Sequence, residues 1–236
     1  MCFVLALLLM HPTFPVVVAA NRDEDRARPA RAPFLWPGAP ALWAGRDEKA
    51  GGTWLGVNEA GLLVAITNRR DGANIPAAPS RGALCLEILR QADPEAAAKL
   101  AAQRLVTRRY NPFNLLCVGP AMGWVKTWRG ATSVLEPGPH VLTNRGDLDD
   151  VAQPSVKRAL AVLEGVEVAS LSLDDLLTML AGICADRVGP EPICRPFGSR
   201  GTVSSSLIAL GADGSLAAYR HANGPPGEQR YAPVPL

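Results

Sequence analysis

The chain has 236 residues, of which 48% are hydrophobic, enough for a sizeable buried core and too many for a disordered chain. Lys and Arg number 24 against 22 Asp and Glu, a net charge of +2, so no strong field favours nucleic acid or an anionic membrane, and neither is expected as a partner. The five cysteines, at 2, 85, 117, 184 and 194, are an odd number without a CxxC pair, which excludes complete internal disulfide pairing and zinc-finger spacing and points to reduced thiols in a cytoplasmic protein.

Phe3 to Met10 is apolar, and a second apolar run covers Val16 to Ala20. A secretory signal would carry Lys or Arg before the run, and there is none; His11, Pro12 and Pro15 also interrupt it. Neither piece approaches the roughly 18 residues of a membrane span. Two buried strands, 3–10 and 14–20, joined by a turn, are the preferred reading, and a cleaved signal, which would remove Cys2, is the alternative it excludes. Arg26 to Pro40 is rich in Pro, Arg and Ala and reads as a surface loop. Thr53–Asn58 and Leu62–Thr67 flank Glu59-Ala60-Gly61 as a hairpin.

Helices follow, one capped by Ser80 and running to about Gln91, the next opened by Asp93-Pro94 with proline at its favoured first position. Strands are predicted at Phe113–Val118, Trp124–Trp128 and His140–Thr143, and helices at Ser155–Leu163 and Leu173–Ile183, the latter capped by Ser172 with Asp175 in reply. Thr202–Leu210 and Leu216–Tyr219 around Asp213-Gly214 form a closing hairpin. No repeat or linker divides the chain, so one domain spanning 1–236 is expected. Paired strands at both ends with helices between them make an α+β pattern.

Cys2 stands directly behind the initiator methionine. Methionine is normally trimmed before a small residue, and trimming here would leave a thiol and a free α-amine on one residue. The amine's ordinary pKa of about 7.7–8.0 leaves roughly a tenth of it neutral at pH 7, so it can act as the thiol's own base. The plain structural reading is a small apolar residue opening a buried strand.

Asn21-Arg22-Asp23-Glu24 ends the second apolar run, in a segment with seven charged residues between Arg22 and Arg31. Such a run is most often a solvated face. If the first two strands pair, however, it returns close to residue 2. Arg22 would then favour a thiolate, and Asp23 or Glu24 would hold the amine; register decides which.

Asn68 and Asn144 close the similar phrases Ala65-Ile66-Thr67-Asn68 and Val141-Leu142-Thr143-Asn144. Their amides can donate to a developing oxyanion, although strand-terminal asparagine is ordinarily a turn former. Asn21, Glu24 and Trp54 are candidates for substrate contact. The glycines around Trp54 could bring backbone close to a ligand or simply form turns, and without a following Lys-Ser/Thr they are not a phosphate loop. His11, His140 and His221 show no ligand spacing, no GxSxG elbow is present, and Ser204-Ser205-Ser206 reads as structural.

Met1-Cys2, Ala20-Asn21-Arg22-Asp23-Glu24 with Arg28-Pro29, Ala44-Gly45-Arg46-Asp47, Gly51-Gly52-Thr53-Trp54-Leu55-Gly56-Val57-Asn58 and Thr67-Asn68-Arg69 resemble the NRDE family, the group that includes the transport and Golgi organisation protein 2 homologues. Phe197-Gly198-Ser199-Arg200-Gly201-Thr202 is similar to that family's late motif. The resemblance implies a fold related to the N-terminal nucleophile hydrolases, a four-layer αββα sandwich of two antiparallel sheets. It also implies kinship with the conjugated bile acid hydrolase and penicillin V acylase branch. Carried over residue by residue, that branch's site falls on Cys2, Arg22, Asp23, Asn68 and Asn144, with Arg200 a further candidate. The branch spaces its arginine and aspartate as R-x-x-D, whereas aspartate follows at once in Arg22-Asp23.

The expected activity is hydrolysis of a non-peptide C–N amide of a small-molecule substrate through a Cys2 thioester, with no cofactor and no metal. The rival expectation is a non-catalytic carrier of the same fold for a haem or lipid-like ligand, with His11, His140 or a cysteine as axial ligand to haem. The sequence is silent on oligomeric state.

Overall fold

A computed structural model describes residues 3–72, 74–195 and 198–236. Cys2 lies outside the described residues, as does Phe197 of the late motif.

Strands β1 (Phe3–Leu8) and β2 (Val16–Asp25) pair antiparallel, with Phe3 opposite Asn21. The sequence then enters β3 (Ala30–Trp36), β4 (Leu42–Asp47), β5 (Leu55–Asn58) and β6 (Leu63–Asn68). Helices α1 (Arg81–Leu89) and α2 (Pro94–Thr107) follow, capped by the Ser80 hydroxyl and the Asp93 carboxylate as predicted. Next come β7 (Phe113–Val118), β8 (Gly123–Thr127), β9 (Thr132–Val134) and β10 (Gly138–Thr143). Helices α3 (Pro154–Leu163) and α4 (Leu173–Cys184) precede β11 (Arg200–Leu210), β12 (Leu216–Ala222) and β13 (Ala232–Pro233).

The strands form two antiparallel sheets, ordered β10-β1-β2-β11-β12-β13 and β3-β4-β5-β6-β7-β8-β9. Strand alternation builds the layers. In β1 and β2 the even residues Val4, Ala6, Leu8, Val16, Val18 and Ala20 join the core shared with the second sheet. The odd residues Phe3, Leu5, Leu7, Val17 and Ala19 pack with Leu176, Leu177 and Leu180 of α4 and Val156 of α3. On the far side, α1 and α2 cover β5, β6 and β7. The result is the four-layer αββα order, and no helix among the described residues is long and apolar enough to cross a membrane.

The Arg26–Pro40 segment corrects the sequence reading: it holds β3, the edge strand of the seven-stranded sheet, rather than a plain loop. Pro33 breaks the periodic signal, and the ladder shifts register between Arg31 and Phe34, which is where an edge strand tolerates proline. Strand β4 has no counterpart among the predicted elements.

Candidate active site

Pairing in the first sheet decides what surrounds the start of β1. Phe3 sits between Asn21 of β2 and Thr143 of β10, so Arg22 and Asn144 are the next residues along on either side. On the other flank of β2, Thr202 opposes Asp23 and Ser204 opposes Arg22, with the register shifting at Val203. Such a bulge re-aims neighbouring side chains, and this one lies beside the charged end of β2.

Two adjoining cavities open there. One, of about 260 Å3, is lined by residues including Arg22, Glu24, Asp47, Trp54, Asn68 and Arg81. The other, of about 250 Å3, includes Asp23, Glu24, Asn68, Arg81, Asn144 and Arg200. A smaller recess joins Phe3, Asp23 and Asn144. Of the residues named from sequence, Arg22, Asp23, Glu24, Trp54, Asn68, Asn144 and Arg200 thus line one cleft.

Arg22 is 5% exposed, with its guanidinium carbon 4.1 Å from the Trp54 ring centroid and Nη2 3.6 Å from Asp47 Oδ2. Burial pulls its pKa below the ordinary value, while Glu24 and Asp47 pull the other way. Burial also opposes ionisation of Asp47, but the Arg28 hydrogen bond of 2.6 Å and the Ala50 amide outweigh it and hold the carboxyl below the usual range. Asp23 accepts from the Thr202 hydroxyl at 2.7 Å and lies 3.9 Å from Arg195, whereas Glu24 accepts from Arg200 at 3.0 Å. Asp23 is the carboxylate that shares a recess with Phe3. Asp25, at the R-x-x-D spacing from Arg22, is exposed and accepts the Ala27 amide within the turn.

Asn68 and Asn144 have no side-chain hydrogen-bond partner among the described residues. A turn-forming asparagine looks different: the Asn58 amide donates to the Leu89 and Gln91 carbonyls, and its Oδ1 accepts the Ala60 and Leu62 amides. The two candidates instead present their amides at the cleft.

Asn21 corrects the expectation of substrate contact. As an odd-numbered β2 residue it faces α4, fully buried, and donates to the carbonyls of Cys184 at 2.8 Å and Ile193 at 3.1 Å. Gly52 serves packing rather than a ligand, since a Cβ there would come within 2.1 Å of the Gly82 backbone at the start of α1. That contact seats the residue missed from sequence, Arg81. Its Nη1 donates to the Pro112 carbonyl at 2.8 Å and no carboxylate pairs with it among the described residues, although burial lowers its pKa. Its only signal in the sequence was its place beside the Ser80 cap.

The remaining thiols are withdrawn from chemistry. Cys85, Cys117, Cys184 and Cys194 are buried, and burial pushes each thiol up, Cys184 to about 12. The histidines named as haem ligands are engaged. His11 meets the Thr13 and Phe14 amides and the Leu171 carbonyl, and His140 meets Asp149 and the Glu136 carbonyl. No cluster of three or more potential metal ligands occurs among the described residues.

Among solved structures, the chain superposes on a Caenorhabditis elegans N-acylethanolamine-hydrolyzing acid amidase ortholog with a TM-score of 0.61 at 13% identity, covering 90% of this chain and 93% of that one. A variant of the conjugated bile acid hydrolase from Clostridium perfringens superposes with a TM-score of 0.63 at 13% identity, over 98% and 92% of the two chains. These likenesses show a fold of the N-terminal nucleophile hydrolase type. In sequence, the transport and Golgi organization 2 homolog of Mus musculus is 33% identical over 135 residues, 55% of this chain and 48% of the relative. The chain therefore spans about half the length of that curated relative. The transport and Golgi organisation 2 profile matches residues 1–190, and the chain belongs to that family.

Proposed function

We propose that this protein is a cysteine hydrolase that cleaves a non-peptide C–N amide through a thioester on Cys2. The observation that carries the reading is the convergence of Arg22 and Asp23 of β2, Asn68 at the end of β6, Asn144 just past β10 and Arg200 at the start of β11 on one cleft beside the start of β1. Cys2 immediately precedes that strand in sequence.

The Cys2 thiolate attacks the amide carbon, and the carbonyl electrons move onto oxygen. The free amides of Asn68 and Asn144 stabilise the oxyanion, where donors fixed in advance act most strongly. The α-amine, held by Asp23, passes the thiol's proton to the leaving nitrogen as the C–N bond breaks. Water then adds to the thioester, giving its proton to the amine, and the acid leaves as the thiol reforms. Arg22 favours the thiolate.

Fold neighbours named as an amidase and a bile acid hydrolase support the reaction class. The protein is proposed to work in the cytoplasm on a small molecule. The test is amine release from a panel of N-acyl amines by the full chain, with peptide mapping of iodoacetamide adducts. Turnover abolished by Cys2→Ala and labelling confined to Cys2 are expected. Unchanged turnover in that variant, or labelling concentrated on another cysteine, overturns the reading.

A further inference from the structure

A cavity of about 260 Å3 adjoins the cleft through Arg22, Arg28 and Trp54, and is completed by the β2–β3 turn, β11 and β12. Arg22, Arg26, Arg28 and Arg31 line it with Ser204 and His221, and no carboxylate does. None of the acids of the Arg22–Arg31 segment lines this cavity, although Glu24 lines the neighbouring one together with Arg22 and Arg28. The three acids are hydrogen-bonded outside it, Asp23 to the Thr202 hydroxyl, Glu24 to Arg200 and Asp25 to the Ala27 amide. Asp47, which meets both Arg22 and Arg28, belongs to the wall of the first cavity, so one carboxylate there answers two guanidiniums.

A run of mixed charges on a solvated face would intersperse its signs. Four guanidiniums share one concave wall instead, Arg26 with Nε on the Gly198 carbonyl at 3.0 Å, Arg28 with Nε on Asp47 and Arg31 over the Phe34 ring, and forked N–H groups so fixed have the geometry that takes oxyanions in a bidentate manner. His221 adds a ring whose Nδ1 lies 2.9 Å from Ser206 Oγ, and burial keeps it neutral at pH 7 by lowering its pKa to about 4. A phosphate group carries close to two negative charges at pH 7 and three acceptor oxygens, and so matches such a wall better than a single carboxylate does.

We propose that this cavity binds a phosphate monoester or diphosphate group, gripped by Arg26, Arg28 and Arg31 beside Arg22. Arg22 and Arg28 also border the hydrolase cleft, whereas Arg26 and Arg31 line this cavity and not that cleft, so changes at those two separate this site from the hydrolase reading.

The test is calorimetric titration of inorganic pyrophosphate into the full chain at low ionic strength, where charge interactions are least screened. One-to-one binding is expected, about tenfold or more weaker in Arg26→Gln and Arg31→Gln, and unchanged in Cys2→Ala. Arg129→Gln, an exposed arginine of the β8–β9 turn outside the cavity, should bind as the parent does. Arg26 and Arg31 are exposed, so both variants should fold, and Arg31→Lys should retain more affinity than Arg31→Gln. Co-sedimentation with phosphatidic acid vesicles, lost in the same variants, would assign the phosphate to a lipid headgroup; pyrophosphate binding without it would assign a soluble ligand. Absent binding, unchanged affinity in both Gln variants, or an equal loss in Arg129→Gln overturns the proposal.

Discussion

The Arg22 guanidinium carbon lies 4.1 Å from the centroid of the Trp54 ring, which places a buried cation against an aromatic face at the junction of two cavities. Arg22 comes from β2 in one sheet and Trp54 from the segment entering β5 in the other, so the contact ties the two sheets together at the cleft. A desolvated contact of this kind contributes about 2 kcal/mol. Trp54→Phe keeps a ring face, whereas Trp54→Leu removes it. Urea denaturation should show a loss of about 1 kcal/mol for the first and about 3 kcal/mol or more for the second. Amide turnover should fall in the same order, and equal turnover in both variants would separate the ring from the chemistry.

Asn68→Ala and Asn144→Ala should lower kcat by roughly 10²–10³, with little change in KM, because an oxyanion donor acts mainly in the transition state. Neither side chain holds a turn among the described residues, so both variants should melt close to the parent. Asn58→Ala supplies the contrast. It loses side-chain bonds to Leu89, Gln91, Ala60 and Leu62 and should cost about 2–3 kcal/mol of stability while sparing turnover by the folded fraction. Lowered melting with normal kcat in the Asn68 and Asn144 variants would assign them to structure.

Gly52→Ala should disturb the cleft without touching a polar group. Its Cβ would meet backbone atoms of Gly82 and Ala83 at 2.1–2.4 Å, so the start of α1 must move, taking Arg81 with it. A stability loss of about 1–3 kcal/mol is expected from the overpacking. Amide turnover should change along with it. A variant with parental stability and turnover would show that α1 can shift freely.

Two histidines set opposite limbs of the pH–stability profile. Burial lowers the folded pKa of His221 to about 4, so the unfolded chain takes the proton first as pH falls. This stability is present above the ordinary pKa of about 6.5 and is lost between there and pH 4, roughly 3 kcal/mol in full. For His140, the Asp149 hydrogen bond raises the folded pKa. Its contribution is complete below the ordinary value and is lost as pH rises through the raised one. Denaturation midpoints of His221→Gln should flatten the acid limb, and those of His140→Gln should flatten the near-neutral slope. Unchanged slopes would remove each histidine from the profile.

The α+β class, the four helices with their Ser80, Asp93 and Ser172 caps, and most of the strands are written in local patterns, because capping and periodicity act over a few residues. The candidate residues Asp23, Glu24, Asn68 and Asn144 were also legible, as charged or amide groups at the ends of apolar runs, whereas Arg200 was named only by the family resemblance of its motif. Strand pairing decided their positions in space. The β1–β2 register turned Asn21 onto α4 and Arg22 onto Trp54, since a shift of one residue exchanges the faces of a strand. It also placed Asp23 rather than Glu24 in the recess with Phe3. Arg81 became part of the cleft only through the close approach of Gly52 to Gly82, and the Arg22–Arg31 arginines gathered on one wall only when β3 paired at the sheet edge. Those are contacts between residues distant in sequence, whose energy depends on the assembled packing rather than on any neighbouring residue.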